Sequence, residues 1–528
     1  MLHTLSSTGG MVVAPHHLAA QAGRDVLRDG GNAVQAMVAA AAAVAVVYPH
    51  MNGIGGDGFW LIHEPGREPV AIDACGPAGA LATRERYAGQ AGIPARGAGA
   101  ALTVAGTVGG WAAALEHAAA WGPALPLERL LADAVRHARD GVAVTRSQNL
   151  LTSQKLEELR AVAGFGSAFL VAGAAPATGT RLRQPELAAT LEHLARAGLD
   201  DFYRGALGAR IAAALAQAGS PVLAADLEAY RARVVAPLSV GLRGCRVYNL
   251  PPPTQGLASL MILGLFERLG VQQGDGFDHV HGLVEATKQA FLVRDRVVTD
   301  PSRLCGDPAR YLAPDELQRR AVEIDARRAR PWPHPARPGD TIWMGAVDRE
   351  GRAVSFIQSV YWEFGSGLVL PGTGIVWQNR GCSFSLDPQA LNTLEPGRKP
   401  FHTLNPALAR FDDGRVLVYG TMGGEGQPQT QAAVFTRYAH FAQPLQQAVS
   451  APRWLLGRTW GEASTSLRLE NRFDPALVQA LRDAGHPVEV LPEAFSDTMG
   501  HAGAVLRRPD GMIEGAADPR SDGIVAGL

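Results

Sequence analysis

Lysine is scarce in this chain. Three occur among 528 residues, Lys155, Lys288 and Lys399, and arginine carries nearly all the positive charge. With the alanine richness, this reads as coding bias rather than function. Net charge is also lacking: 49 basic and 50 acidic residues leave −1, so neither nucleic acid nor an anionic membrane is favoured as a partner. The four cysteines, Cys75, Cys245, Cys305 and Cys382, are widely scattered and form no CxxC or metal-ligand spacing. A chain this long needs no covalent staples, so free thiols in a reducing compartment are expected. The most apolar run, AMVAAAAAVAVV (36–47), is shorter than the roughly 20 residues a bilayer requires and reads as a buried helix. The start, MLHTLSSTGGMVV, shows no basic n-region followed by an apolar h-region, so a cytoplasmic protein is expected. GIGGDG lacks the GK[ST] ending of a phosphate loop, GSGL is not a GxSxG nucleophile elbow, and no HExxH or clustered His/Cys is present. Neither a cofactor nor a metal is expected, and the partner indicated is a small molecule.

What is present falls into two stretches. Up to about residue 340, helical patterns prevail, broken by two stretches that read as strands, GIGGDGFWLIHE and PVAIDACGPAG. HLAAQAGRDVLRDGG ends on a Gly-Gly stop, the alanine-rich run follows Asn32 as N-cap, and LERLLADAVRHARDG and ELAATLEHLARAGL are amphipathic. A Pro-rich, aperiodic segment, RARPWPHPARPGD (328–340), reads as a linker. After it come strand patterns: TIWMGAVD, AVSFIQSVYW, GLVLPGTGIVWQN and PALARFDDGRVLVYG. A last helix and a hairpin, AGAVLRRPDGMIEGAAD, close the chain. The expected fold is a layered α/β sandwich with sheets between helices, divided near residue 340.

The chemistry gathers at that division. GDTIWMGAVD opens a strand with Gly-Asp-Thr. A Thr hydroxyl needs a base, and an α-amino group, with a reference pKa of about 7.7–8.0, supplies one on the same residue. Thr341 gains that amine only if the bond after Asp340 is cut, and a Pro-rich linker is a place where a chain can be cut without unravelling its core. In VDREGRAVS the turn centres on Glu350, and Gly351 can take positive φ. Nine residues outward on each side, Thr341 faces Ser359, whose hydroxyl is then in reach of the Thr341 hydroxyl. Gly423 and Gly424, after the apolar strand RVLVYG, allow close backbone approach and N–H groups aimed at a developing oxyanion.

Eight ordered stretches resemble the γ-glutamyltranspeptidase family of N-terminal-nucleophile (Ntn) hydrolases along nearly the whole chain. They are LAAQAGRDVLRDGGNAV, YPHMNGIGGDGF, TVAGTVGGW, LPPPTQG, DTIWMGAVDREGRAVSFIQS, GSGLVLPGTGI, GTMGGEG and GAADPRSDG. The resemblance implies a four-layer αββα sandwich made as a proenzyme. Cleavage between Asp340 and Thr341 would leave a large subunit, 1–340, and a small subunit, 341–528, which stay associated as one catalytic unit. It further implies Thr341 as nucleophile and its own base, Ser359 in support, and Gly423 and Gly424 as the oxyanion hole.

The chain departs from the family's pattern where the γ-glutamyl group is held. Cys75 stands at the place of the carboxylate-binding Arg, Tyr361 at that of an Asn, and Arg380 and Ser383 at those of a Gln and an Asp. His402-Thr403 replaces a Ser-Ser pair. A cysteine cannot make the bidentate salt bridge. The replacements, Tyr361, Arg380 and a protonated His402, are bulkier and more cationic, and favour a small acidic acyl group. YPHMNGIGGDGFW and IDACGPAG resemble the oxamate amidohydrolase-like branch of the family. Arg380 can also be read as part of a surface or structural salt bridge, and His402 as a core or loop histidine. A glutathione hydrolase or transferase with a non-standard glutamate pocket, and an inactive scaffold, are the other readings.

Overall fold

The computed structural model describes residues 3–334, 339–459 and 464–528. Residues 335–338, within the expected linker, lie outside the described residues. Two seven-stranded antiparallel sheets form the centre. One runs Ile524–Gly527, Gly10–Ala14, Ile342–Asp348, Ala353–Ser359, Asp57–His63, Val70–Ala74, Arg233–Val235. The other runs Leu5–Ser7, Ile513–Ala517, Ala502–Arg507, Val416–Thr421, Ala407–Phe411, Cys245–Asn249, Leu238–Leu242. Strands from both sides of residue 340 interleave in each sheet. In the first stretch, Asp57–His63 and Val70–Ala74 fall where GIGGDGFWLIHE and PVAIDACGPAG read as strands, while Gly10–Ala14, Arg233–Val235, Leu238–Leu242 and Cys245–Asn249 are strands that its periodicity does not indicate.

Strand alternation builds the layers. Trp343, Val347 and Ile357 point between the sheets and meet Leu408, Val418 and Val505 of the other sheet. Ile342, Met344 and Ala346 point the opposite way, into a cluster shared with the helices His17–Arg28, Ala33–Val47 and Leu127–Asp140. The second sheet is covered on its outer face by Gly256–Arg268 and Phe277–Val297. The result is the αββα sandwich. The Ala33–Val47 helix is buried on every side, because its small residues let neighbours approach all round. Asn32 caps it, accepting from Val34 N and Gln35 N at 3.0 Å each, while Gln35 Oε1 accepts from Asn32 N at 3.1 Å. Among the described residues no helix is long and apolar enough to cross a membrane.

The central hairpin carries the expected register. Ile342 pairs with Gln358 and Trp343 with Ile357, so the next step outward sets Thr341 against Ser359. Gly351 turns the chain at φ +85°. The Trp343 ring slots between glycines: a β-carbon at Gly420 would stand 2.2 Å from it, and one at Gly503 2.5 Å. Two residues beyond Thr341, the strand is thus pinned against lateral movement.

Candidate active site

Asp340 and Thr341 have no exposed surface. Asp340 N donates to the Tyr361 carbonyl at 2.6 Å, and Thr341 N to Asp340 Oδ1 at 2.7 Å. The Thr341 hydroxyl donates to the carbonyl of Asp340, the group its oxygen would attack in a self-cleavage. Ser359 Oγ donates to the same carbonyl at 2.6 Å and accepts from Tyr361 N at 2.8 Å. The hydrogen bond of Ser359 therefore goes to the Asp340 carbonyl, which corrects the expected contact with the Thr341 hydroxyl. The hairpin brings the two side chains together, but the shared carbonyl lies between them. Tyr361 takes φ +85°, a conformation that residues with a β-carbon rarely adopt.

Gly423 and Gly424 turn the chain at φ +120° and +53°. A β-carbon on Gly424 would lie 3.1 Å from the Gly339 carbonyl oxygen. This turn therefore packs directly on the backbone that precedes Asp340.

Around this centre lie the other expected residues. Arg380 is 1 % exposed. Its guanidinium carbon stands 3.8 Å from the Tyr361 ring centroid, and Nη1 donates to Thr403 Oγ1 at 3.4 Å. Among the described residues no carboxylate forms an ion pair with it, and its Nε has no hydrogen-bond acceptor. Arg380 is thus not a surface charge, and among the described residues it is not half of a salt bridge. Burial pulls it down to about 10, which leaves it a cation at neutral pH.

His402 is fully buried, with Nε2 3.0 Å from Asp57 Oδ2. Burial, with Arg380 nearby, holds His402 well below the ordinary histidine range, so it is neutral. That overturns the reading of His402 as a cation and agrees with its other reading, a core histidine; the sequence does not reveal how completely the ring is desolvated. Cys75 donates its S–H to Asp73 Oδ1 at 3.1 Å, and burial first, then Asp73, push its thiol far up. Lys399 Nζ closes on Asp73 Oδ2 at 2.6 Å. The Cys75 end of the site therefore holds a neutral thiol beside an ion pair that satisfies itself.

Asp57 is the residue the sequence reading passed over. It stands in GIGGDG at the start of a strand. Its Oδ1 accepts from Gly76 N at 3.1 Å, Gly106 N at 3.0 Å and Gln378 Nε2 at 3.1 Å, and its Oδ2 meets His402. Burial raises its pKa to about 7 against the opposing pull of Arg380 and these donors. The available signal was a lone acid amid glycine and apolar residues, a type rarely buried unless it is partnered. Among the described residues, His281, Glu285 and His486 form one group with metal-ligand spacing. Lys288 Nζ already sits 2.6 Å from Glu285 Oε1, and Arg330 N 3.1 Å from Oε2, so protein donors fill that carboxylate.

The family model for gamma-glutamyltranspeptidase matches residues 19–528. An oxamate amidohydrolase proenzyme of Klebsiella pneumoniae is 60% identical over 522 residues, covering 99% of each chain. A glutathione hydrolase-like proenzyme of Bacillus subtilis is 42% identical over 533 residues, covering 100% of both. Among solved structures, a cephalosporin acylase from Bacillus halodurans superposes with a TM-score of 0.91 at 33% identity. That match covers 100% of this chain and 97% of the other.

Proposed function

Because the chain belongs to the gamma-glutamyltranspeptidase family, we propose that Thr341, freed by cleavage after Asp340, hydrolyses a small amide bearing a carboxylate, of the oxamate type. Enzymes of this class hydrolyse amides, and the proposal concerns which amide and by which residues. The Thr341 amine takes the hydroxyl proton, and Oγ1 attacks the amide carbonyl. Ammonia leaves, and water then releases the acyl group from the Thr341 ester. In the precursor the same hydroxyl attacks the Asp340 carbonyl, with Ser359 donating to the oxygen that becomes negative. Gly423 and Gly424 serve as the backbone oxyanion donors.

The observation that carries the substrate reading is the buried guanidinium of Arg380, which lies against the Tyr361 ring and Thr403 and makes no direct ion pair among the described residues. A buried cation is costly without a close anion; Asp57 acts on Arg380 only from beyond ion-pair distance and only when ionised, and a substrate carboxylate supplies a direct partner. The name of the Klebsiella pneumoniae relative points the same way. His402, Thr403 and Tyr361 then shape the pocket, while Cys75 offers nothing to a distant carboxylate. Ammonia release from oxamate, set against cleavage of a γ-glutamyl anilide, tests the reading. Faster turnover of the anilide would move the assignment to the glutathione hydrolase or transferase alternative. We place the enzyme in the cytoplasm, a setting in keeping with its four free cysteines, with both subunits associated after the cut and higher oligomers open to either.

Two expected results arise here. Ser359→Ala removes a hydrogen bond to an oxygen that turns anionic, a class worth about 1.5–3 kcal/mol. Self-cleavage should slow by roughly 10- to 150-fold, as followed on a gel over time after synthesis, without being abolished. An unchanged rate would remove Ser359 from the chemistry. The second concerns pH. Asp57 is raised to about 7, so its negative charge beside Arg380 is absent below that pH and present above it. KM for an anionic amide should therefore rise as pH passes upward through about 7, at most tenfold per unit, and stay flat for a neutral amide of equal size. Asp57→Asn should remove the slope; a slope that persists in this variant would assign it elsewhere.

A further inference from the structure

LPPPTQG (250–256) has no part in the chemistry above, yet its glutamine touches both walls of the site. Gln255 is fully buried. Its Nε2 donates to the Thr403 carbonyl at 2.7 Å and to the Gly424 carbonyl at 2.8 Å. Its Oε1 accepts from Arg294 Nη1 at 3.2 Å, and Arg294 Nη2 reaches Glu425 Oε2, one residue past Gly424, at 2.9 Å. Arg294 is itself stacked 3.8 Å over the Phe291 ring. One amide thus uses both donor hydrogens and its acceptor, and a guanidinium braced on an aromatic ring fixes its orientation.

We infer that Gln255 is a positioning residue that locks the Gly423–Gly424 turn for its part in the reaction. The inference rests on the reading of that turn as the oxyanion site. The two glycines have no side chains to anchor them, and both hold backbone conformations from which glycine rotates easily. Within the turn, the Gly424 carbonyl also accepts from Gln427 N. Gln255 and Arg294 tie the turn to the rest of the protein. The other wall is less dependent on this side chain. Backbone bonds hold the His402 loop to the motif, from Gln255 N to the His402 carbonyl at 2.9 Å and from His402 N to the Pro253 carbonyl at 2.9 Å. Loss of the Gln255 amide should therefore fall on the oxyanion donors, which matter in the transition state, and spare the loop that carries Thr403.

The test uses Gln255→Met, which keeps length and volume and removes the donors. The processed two-chain variant and wild type are compared for kcat and KM on oxamate and for inhibition by oxalate. They are also compared with a small carboxylate-bearing boronic acid, which forms a tetrahedral adduct with the Thr341 hydroxyl. The expected result is a kcat at least tenfold lower, boronate affinity lowered in parallel, and KM and oxalate affinity within threefold of wild type. Equal boronate affinity in the two proteins would overturn the inference, as would a loss of oxalate affinity equal to the loss in kcat. If wild type itself fails to bind the boronate, the reading of Thr341 and its turn fails instead. Should Gln255→Met not fold, Arg294→Gln removes the brace and leaves the amide. It should lower kcat and boronate affinity together, and normal values for both would again overturn the inference.

Discussion

Thr341→Ala should give a single uncut chain with no measurable amide hydrolysis. The hydroxyl that donates to the Asp340 carbonyl beside that of Ser359 is removed, and with it the oxygen that would attack that carbonyl. Wild type should instead separate under denaturing conditions into pieces of 340 and 528 − 340 = 188 residues. Without denaturant the pieces should migrate together, because strands on both sides of the cut share each sheet. The apolar surface between the sheets alone includes Phe59 and Leu61 from the first piece and Trp343, Ile357 and Val505 from the second. At about 25 cal/mol per Å² of buried apolar area, an interface of that extent does not open spontaneously. Size-exclusion chromatography followed by a denaturing gel checks both statements. A Thr341→Ala chain that is cut at the wild-type rate would exclude the hydroxyl as the agent of cleavage.

The second large effect concerns which amide is cut. Oxamate should exceed glutathione by at least a hundredfold in kcat/KM, about 2.7 kcal/mol. A γ-glutamyl group would bring its α-carboxylate to the Cys75 end, where the thiol is neutral and Lys399 is already bound to Asp73 at 2.6 Å. An unpartnered buried charge costs several kcal/mol. A carboxylate next to the scissile amide would meet Arg380, whose only side-chain acceptor in the described structure is Thr403 Oγ1. Arg380→Ala should then lower kcat/KM for oxamate at least a hundredfold and leave a neutral amide of the same size within about fivefold. Arg380→Lys should rescue little, because an ammonium lacks the planar fork that binds a carboxylate bidentately and stacks on Tyr361. Equal losses on both amides would show that Arg380 only supports the fold.

The sequence made the central hairpin legible because strand geometry repeats every two residues and Gly351 marks the turn. Counting outward was enough to set Ser359 opposite Thr341. It did not show what Ser359 bonds to, since the Asp340 carbonyl enters from the chain before the strand. The Ala33–Val47 helix was legible as buried because it is apolar on every face. Burial of polar residues was not. His402 reads as a potential cation until its ring is seen enclosed against Asp57, and Asp57 itself reads as a turn residue. Gln255 lies about 150 residues from one of its acceptors and more from the other, and no local pattern encodes such contacts. The departures at Cys75, Tyr361, Arg380 and His402 were visible in the chain. What needed the structure was their charge: one buried cation with no direct ion pair among the described residues, one neutral thiol, one neutral imidazole.

The most direct measurement of the central claim is intact mass and N-terminal sequencing of purified protein, taken alone and during turnover of oxamate. The account predicts a small chain whose first residue is Thr341. During turnover it should carry the oxamate acyl group as an ester on the Thr341 hydroxyl. Full-length protein that releases ammonia from oxamate, or an acyl group carried on any other residue, would contradict it.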